Sequence, residues 1–319
     1  MKTFLLHIFV LFLFFLLLIF PMETLNGATA GLLLWYQVLL PTLLPFIIVS
    51  TLLIKTKAYQ TIYKFTGSTI GKFFHTTQGG TLAVIIGFLC GYPMGAKVIN
   101  DLRMQDTISE QEAKYLLSFC NNTSPMFIIS YFIYQILEDT SLLFPTFLAL
   151  YSAPILVSFF TRRIYKIDSK SYLAYEPQNL PPKSNSRFSY KVLDDIIMDS
   201  ISLILKIGGY VMLFSIFICL STTLTSRYMP SLRYLIPLLE ITNGLNIYRS
   251  LNPELLQYSS MLFLVSFGGL CAVGQTQCVL DSQELKISHY FFQKIITAII
   301  AVIIGVLLFT IIHKNHLLH

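Results

Sequence analysis

The sequence consists largely of apolar segments near the length of a membrane-spanning helix, and residues 4–20, 141–160 and 290–312 are three of them. A helix of about 20 apolar residues crosses the hydrocarbon core of a bilayer. Because lipid offers the backbone no hydrogen-bond partner, only helices and closed barrels span it. Barrel strands alternate in polarity, which these segments do not. We therefore predict an all-α polytopic membrane protein.

The composition agrees with this prediction and argues against two classes of function, nucleic-acid binding and enzymatic activity. The 319 residues are 55% hydrophobic and 12% charged, against about 25% charged in an ordinary soluble domain. The net charge of +6 does not indicate nucleic-acid binding, because Lys and Arg lie between apolar segments rather than on a soluble face. The five cysteines form no CxxC pair, and the sequence has no P-loop, HExxH or GxSxG motif. We expect no enzymatic activity, no cofactor and no metal site.

The N-terminal segment has two interpretations. Residues 4–20 are apolar and follow Lys2, and Ala28-Thr29-Ala30 is similar to a signal-peptidase site. The apolar run is longer than a usual signal-peptide core, and the cleavage-like site lies well beyond it. The sequence therefore favours an uncleaved transmembrane helix within residues 1–27, and cleavage of residues 1–30 stays open.

The distribution of charge predicts how the chain crosses the membrane. Suppose that the N-terminus is cytoplasmic, that the short broken segments at 80–96 and 235–247 are re-entrant hairpins, and that every other apolar segment crosses once. Lys206 then falls within a span and most of the 22 Lys and Arg fall on the cytoplasmic side. Those that fall outside are Arg227, Arg233, Arg249 and Lys314. Such a cytoplasmic excess is the usual arrangement in membrane proteins.

Under this topology the chain divides into two repeats of opposite orientation, residues 28–161 and 194–319, joined by a cytoplasmic loop at 162–193. Each repeat contains a span, a short broken hairpin, a long broken helix and a span. Inverted repeats with interruptions at matching positions point to a secondary transporter. Unwound backbone is tolerated at membrane depth only where it is buried in protein or lines a cavity, so the breaks predict a shared polar site near the midplane.

The predicted breaks lie at 91–93, at 121–125, at 242–244, and at both 268–269 and 274–277. A single Pro or Gly often only kinks a membrane helix, so each break taken alone is also open to that interpretation. The run at 121–125 is harder to explain as a kink, because all five of its residues are polar or helix-breaking.

Several motifs together resemble a known family. They are GYPMGAK at 91–97, LLSFCNNTSP at 116–125, LEITNG at 239–244 and SFGGL at 266–270. In this order they look like the sporulation integral membrane proteins of the YlbJ type, which carry nucleoside-recognition (Gate) domains. The resemblance implies a fold similar to concentrative nucleoside transporters, with a re-entrant hairpin and an unwound helix in each repeat. It also implies a role in endospore formation, namely passage of dipicolinic acid across the outer forespore membrane.

The polar groups at the breaks are the candidate substrate-binding residues. They are Tyr92, Lys97, Asn121, Asn122, Thr123, Ser124, Thr242, Asn243, Gln275 and Gln277. Amides, hydroxyls and free backbone at half-helix ends can bind an anion, and they can equally form hydrogen bonds between helices. Tyr92 suits stacking on an aromatic ring or an interfacial position. Lys97 suits either a substrate carboxylate or a cytoplasmic anchor.

Glu240 and Lys206 are the candidate coupling residues. An ionised side chain at the centre of a bilayer is unfavourable by about 2.5–3.5 kcal/mol on insertion scales, so Glu240 is a candidate carrier of a proton or sodium ion. Its alternative is a structural, hydrogen-bonded acid. Lys206 could pair with Glu240 or meet an anionic substrate, or its long stem could extend to the interface.

The sequence therefore predicts a protein of the bacterial cell membrane, in contact with the lipid bilayer, that transports a small polar solute. The anionic aromatic solute dipicolinic acid follows from the resemblance, with a proton or sodium as coupling ion. A nucleoside or related metabolite is the alternative substrate, and a non-transporting sporulation membrane assembly protein is the alternative function. The sequence leaves homo-oligomerisation open.

Overall fold

The structure is a computed structural model, and it describes residues 2–167, 190–228, 234–281 and 283–316. Over these ranges the chain folds into helices joined by short turns, without a β-strand. Five helical stretches are long and apolar enough to cross a membrane, namely Pro21–Lys55, Thr140–Ile164, Tyr190–Thr225, Glu254–Val279 and Ile287–Ile311. The predicted all-α polytopic membrane protein is confirmed. The predicted loop at 162–193 lies mostly outside the described residues.

The first part of the chain runs from the N-terminus to Ile164. Its helices are α1 (Lys2–Ile19), α2 (Pro21–Leu34), α3 (Leu40–Lys55), α4 (Tyr59–Thr66), α5 (Lys72–Phe74), α6 (Gln78–Leu89), α7 (Met94–Met104), α8 (Glu110–Leu117) and α9 (Leu143–Ile164). A π-helical turn, Trp35–Leu39, joins α2 to α3, and a longer π-helix, Phe127–Leu137, follows α8. The second helix starts at Pro21 rather than after residue 27, because proline fits the first turn of a helix and ends α1 before it.

The second part of the chain begins at Tyr190. Its helices are α10 (Tyr190–Tyr228), α11 (Ile241–Tyr248), α12 (Glu254–Phe267), α13 (Gly269–Val279) and α14 (Ile287–His316), with a short 3-10 turn at Ile236–Leu239 before α11. The prediction of a second break at 274–277 is wrong: those residues lie within α13. Their side chains are compatible with a helix, and the Thr276 hydroxyl donates to the carbonyl of Ala272 one turn earlier.

Small residues let α2 of the first part pack closely against α10 of the second. A Cβ added at Gly27 would lie 2.6 Å from the Cα of Ile216, and one added at Gly31 would lie 2.6 Å from the Cα of Met212. Glycines four residues apart allow two membrane helices to approach at the backbone, where van der Waals packing holds them together. At the end of α2 the indole nitrogen of Trp35 donates to the carbonyl of Ile204, at 2.8 Å. These contacts tie the two parts of the chain together.

Polar contacts join the helix ends at both extremities of the bundle. The Arg103 guanidinium at the end of α7 is 2.9 Å from a Glu284 oxygen, in the turn before α14. Arg249, after α11, forms an ion pair with Glu138, which precedes α9. In the predicted topology the first pair is cytoplasmic and the second lies outside, so each pair joins residues that were placed on the same side.

The glycine contact between α2 and α10 predicts that a larger side chain destabilises the protein at Gly31 but not at Gly209. Gly31→Leu should lower the free energy of unfolding by about 1–3 kcal/mol, because its side chain would force two backbones apart. Thermal unfolding of the purified full chain in detergent measures this. Gly209→Leu is the matched control, since a Cβ at Gly209 in α10 meets nothing within 4 Å. Equal effects of the two changes would contradict the assignment of α2–α10 as a tight contact.

Candidate functional site

Four interruptions of helical structure meet in the interior of the molecule. The turn between α6 and α7 carries Tyr92, whose hydroxyl donates to the carbonyl of Ser266 near the end of α12, at 2.8 Å. The stretch after α8 carries Thr123, whose hydroxyl donates to the carbonyl of Val265, at 2.6 Å. Gly268, between α12 and α13, lies against the ring of Tyr92 and has a left-handed φ of 87°. Gly269 lies against the backbone of Glu240, at the turn before α11.

A cavity of about 560 Å³ lies where these interruptions meet. This volume is in the range of small-molecule binding sites, which are mostly apolar with a few polar groups. Apolar side chains of α3 and of the π-helix after α8 form much of its wall. The polar residues in the wall include Tyr92, Thr123, Ser124, Tyr131, Glu240, Thr242 and Gln275. Among the described residues that line it, Glu240 is the only charged one.

Glu240 is 3% exposed and occupies the cap position of α11. Its two carboxyl oxygens accept bonds from the backbone N–H groups of Thr242 and Asn243, both at 2.9 Å. The Asn243 side chain donates to the same carboxyl group at 2.9 Å, and also to the Ser215 hydroxyl of α10 at 3.2 Å. Acidic side chains at this position stabilise a helix by satisfying its free N–H groups. The geometry thus gives Glu240 a structural contact as well as a place in the cavity wall.

Asn121 and Asn122 lie behind the cavity wall, in the non-helical stretch between α8 and the following π-helix. The Asn121 side-chain nitrogen donates to the hydroxyls of Thr276 and Tyr290, both at 2.9 Å. Lys294 donates to the Asn121 carbonyl at 3.1 Å and to the Asn122 side-chain oxygen at 3.2 Å. The unwound backbone of the first part is therefore bound by side chains of α13 and α14.

The structure sorts the predicted site residues into three groups. Those that line the cavity are Tyr92, Thr123, Ser124, Thr242, Gln275 and Glu240. Those that lie beside it in the hydrogen-bond network are Asn121, Asn122 and Asn243. Those that the structure does not bring to the cavity are Lys97, Lys206 and Gln277.

The three outlying residues have other surroundings. Lys97, one turn into α7, pairs with Asp101 and donates to the Thr51 hydroxyl at 3.2 Å. Lys206 is exposed on α10 and, among the described side chains, forms no ion pair with the buried Glu240. Gln277 is exposed on α13, whereas Gln275 faces inward because it lies two residues earlier on the same helix.

Sequence reasoning missed Lys294 as a residue near the site. The predicted topology places it among the cytoplasmic basic residues, whereas α14 begins at Ile287, so Lys294 lies two turns into the helix and is 2% exposed. The signal was present in the sequence, since Lys294 falls inside the apolar segment 290–312. Tyr290, one turn earlier on the same helix face, was missed with it, and so was Thr276.

Comparison with known proteins gives an independent line of information. Over an alignment of 350 residues, the chain is 26% identical to the sporulation integral membrane protein YlbJ of Bacillus subtilis (strain 168). The alignment covers 96% of this chain and 83% of that protein. The chain is therefore similar over nearly its whole length to a YlbJ-type sporulation integral membrane protein. The resemblance inferred from the motifs is confirmed.

This similarity covers nearly the whole chain, so it includes all four interruptions and the cavity between them. No family model matches the chain, and no solved structure matches it. The YlbJ-type similarity and the apolar helices support an integral membrane location in the lipid bilayer and a membrane role in sporulation.

The left-handed backbone at Gly268 generates a prediction for the site. Gly268→Ala should destabilise the protein by about 1–2 kcal/mol, because a side chain disfavours a positive φ, and the new Cβ would lie 2.9 Å from the Tyr92 ring. Thermal unfolding with and without a candidate solute measures the change. Gly209→Ala serves as the control because it adds a methyl group to open space. If Gly268→Ala unfolds at the wild-type temperature, the close approach of Tyr92 and Gly268 is not required.

Proposed function

We propose that this protein is a secondary transporter or facilitator for a small polar solute in endospore formation. The observation that carries the proposal is the cavity at the meeting point of four interrupted helices, with polar residues of both parts of the chain in its wall. Discontinuous membrane helices with their free ends directed at a shared midplane site are the usual construction of a secondary transporter. The two parts are inverted repeats, and α6–α7 and the turn before α11 are the re-entrant hairpins of the proposal.

The arrangement of ion pairs supports this topology. An inverted repeat with a cytoplasmic N-terminus puts Arg103 and Glu284 on the cytoplasmic side, and Glu138 and Arg249 on the other side. The members of each pair are in contact with each other. The hairpins then enter the membrane from opposite sides, and their tips at Tyr92 and Glu240 reach the same cavity. This geometry is what alternating access around one site needs.

The preferred solute is an anionic aromatic molecule, and dipicolinic acid follows from the resemblance to the YlbJ type. The largely apolar wall and the Tyr92 ring suit an aromatic ring. An anion and an ionised Glu240 repel each other in the same cavity, and such repulsion is strong where water is excluded. An anionic solute therefore requires a proton on Glu240, which favours the proton as the coupling ion of the proposal. The outer forespore membrane as the location follows only from the resemblance to the YlbJ type.

A second candidate is a nucleoside or related neutral metabolite. The observation that favours it is the single carboxylate in the wall, since sugar hydroxyl groups donate hydrogen bonds to an ionised Glu240 without repulsion. The two candidates thus differ in the protonation state that they require of one residue.

Uptake into proteoliposomes tests transport directly. We expect the wild-type chain to carry labelled dipicolinate faster than empty vesicles, and the rate to rise as the pH falls. Glu240→Gln retains an oxygen for the cap of α11 but cannot exchange a proton. The increase of its uptake rate with falling pH should therefore be at least tenfold smaller than that of the wild type. Lys206→Met, on the exposed face of α10, is the control. If the wild-type chain and a Glu240→Gln, Asn121→Ala double variant both match empty vesicles, the transport proposal fails.

Ligand-induced thermal stabilisation separates the two solutes. A ligand that binds only the folded state stabilises it by about 2.7 kcal/mol at a concentration of 100 times its Kd. Dipicolinate should raise the Tm of the wild-type chain. Ser124→Leu, whose larger side chain fills part of the cavity, should reduce that rise. A rise with nucleosides and none with dipicolinate would overturn the anionic assignment and leave the nucleoside candidate.

A further inference from the structure

We propose that the ammonium group of Lys294 is a resident cation, which binds the unwound backbone at Asn121–Asn122 so that the solute site assembles without a dissolved sodium ion. This role deepens the transport proposal and rests on it for its functional meaning, because it assigns the cation at the interruption after α8. It concerns a residue that the sequence reasoning placed outside the membrane.

The contacts of Lys294 are those of a cation held by oxygen atoms. Its Nζ lies 3.1 Å from the Asn121 carbonyl and 3.2 Å from the Asn122 side-chain oxygen. Both atoms are acceptors, since the Asn122 side-chain nitrogen itself donates to the carbonyl of Phe119 at 2.7 Å. On a third side, Nζ lies 5.0 Å from the centre of the Tyr92 ring, within the range of a cation–π contact.

No carboxylate neutralises this group within the part of the chain that the structure describes. Lys294 is 2% exposed and takes part in none of the ion pairs formed by the described residues. Its partners lie just after the end of α8, at Leu117, where the helix dipole is negative. Unwound carbonyls beside the C-terminal end of a half-helix are the ligands that transporters offer to a coupling cation. Here a covalently attached ammonium group takes that place.

The same contacts leave Lys294 little to offer a solute. An ammonium group has three N–H donors, and its surroundings are two oxygen atoms and one aromatic face. Lys294 is not among the residues that line the cavity, whereas Tyr92, against its ammonium group, is. We therefore assign it to holding the site together rather than to binding a substrate carboxylate.

The resident cation is connected to the cavity through its neighbours. Asn121 also bonds to Thr276 and Tyr290, so one residue of the unwound stretch is held from α13 and α14 together. Thr123 and Ser124 follow directly and line the cavity. Loss of the positive charge would release the Asn121 carbonyl, and with it the stretch that positions these two hydroxyl groups.

Thermal unfolding of the purified full chain, in choline chloride, potassium chloride and sodium chloride at equal ionic strength, tests the inference. The wild-type Tm should be the same in the three salts. Lys294→Ala should lower it by about 5 °C, and ethylammonium chloride should restore at least half of that loss, because the small cation fits the space that the side chain leaves. Lys294→Met should show the loss without the rescue, because its side chain fills that space. Lys206→Met should match the wild type.

Several results would overturn the inference. The first is a wild-type Tm that is higher in sodium than in potassium chloride, and the second is an unchanged Tm in Lys294→Ala. The third is a loss of Tm in Lys294→Ala that ethylammonium does not restore, because Lys294 would then be a packing residue only. If Lys294→Ala cannot be purified, the salt comparison on the wild type and the loss in Lys294→Met decide the question. None of these measurements uses a solute, so a failure of the transport proposal can be distinguished from a failure of this inference. If vesicles show no uptake, the Tm results still stand. If uptake by the wild type depends on sodium, only this inference is contradicted.

Discussion

Backbone groups without a helical partner must find one inside the protein, since lipid supplies none. This constraint governs the centre of the molecule, where the four interruptions satisfy one another. The carbonyls of Val265 and Ser266, near the end of α12, accept bonds from Thr123 and Tyr92 of the first part. The Asn121 carbonyl accepts from Lys294 of the second part. Each part thus supplies hydrogen-bond partners for the breaks of the other, and residues of both parts line the cavity between them.

Some of these elements could be predicted from the sequence because their causes are local. The turn at 90–93, the stretch at 118–124 and the end of α12 at Gly268 fall where Gly, Pro and Asn residues interrupt apolar segments. Such residues break a helix through their own covalent structure, and that effect is local. Glu240 was likewise recognisable, because a carboxylate in an apolar segment needs a partner wherever the segment packs.

Other features depend on contacts that no local pattern contains. The residues around Gly274 stay helical, and the side chains of Gln275 and Thr276 bond to Cys271 and Ala272 within α13. The apolar segment around Lys294 indicates that it is buried, but its partners Asn121 and Asn122 follow only from the three-dimensional contact. The inward face of Gln275 and the outward face of Gln277 follow from the rotation of α13, which is set by packing.

The close contact between α2 and α10 has a consequence for motion. Gly27 and Gly31 bring the two backbones together over a full turn, and Trp35 bonds to the adjoining part of α10. One helix belongs to each part of the chain, so this contact joins them as a rigid frame. Rocking of the two parts against each other as separate bodies would have to break this contact. A movement that changes access to the cavity is easier at the turns around Tyr92 and Glu240, where single side-chain bonds are exchanged more easily than a seam of backbone contact is broken.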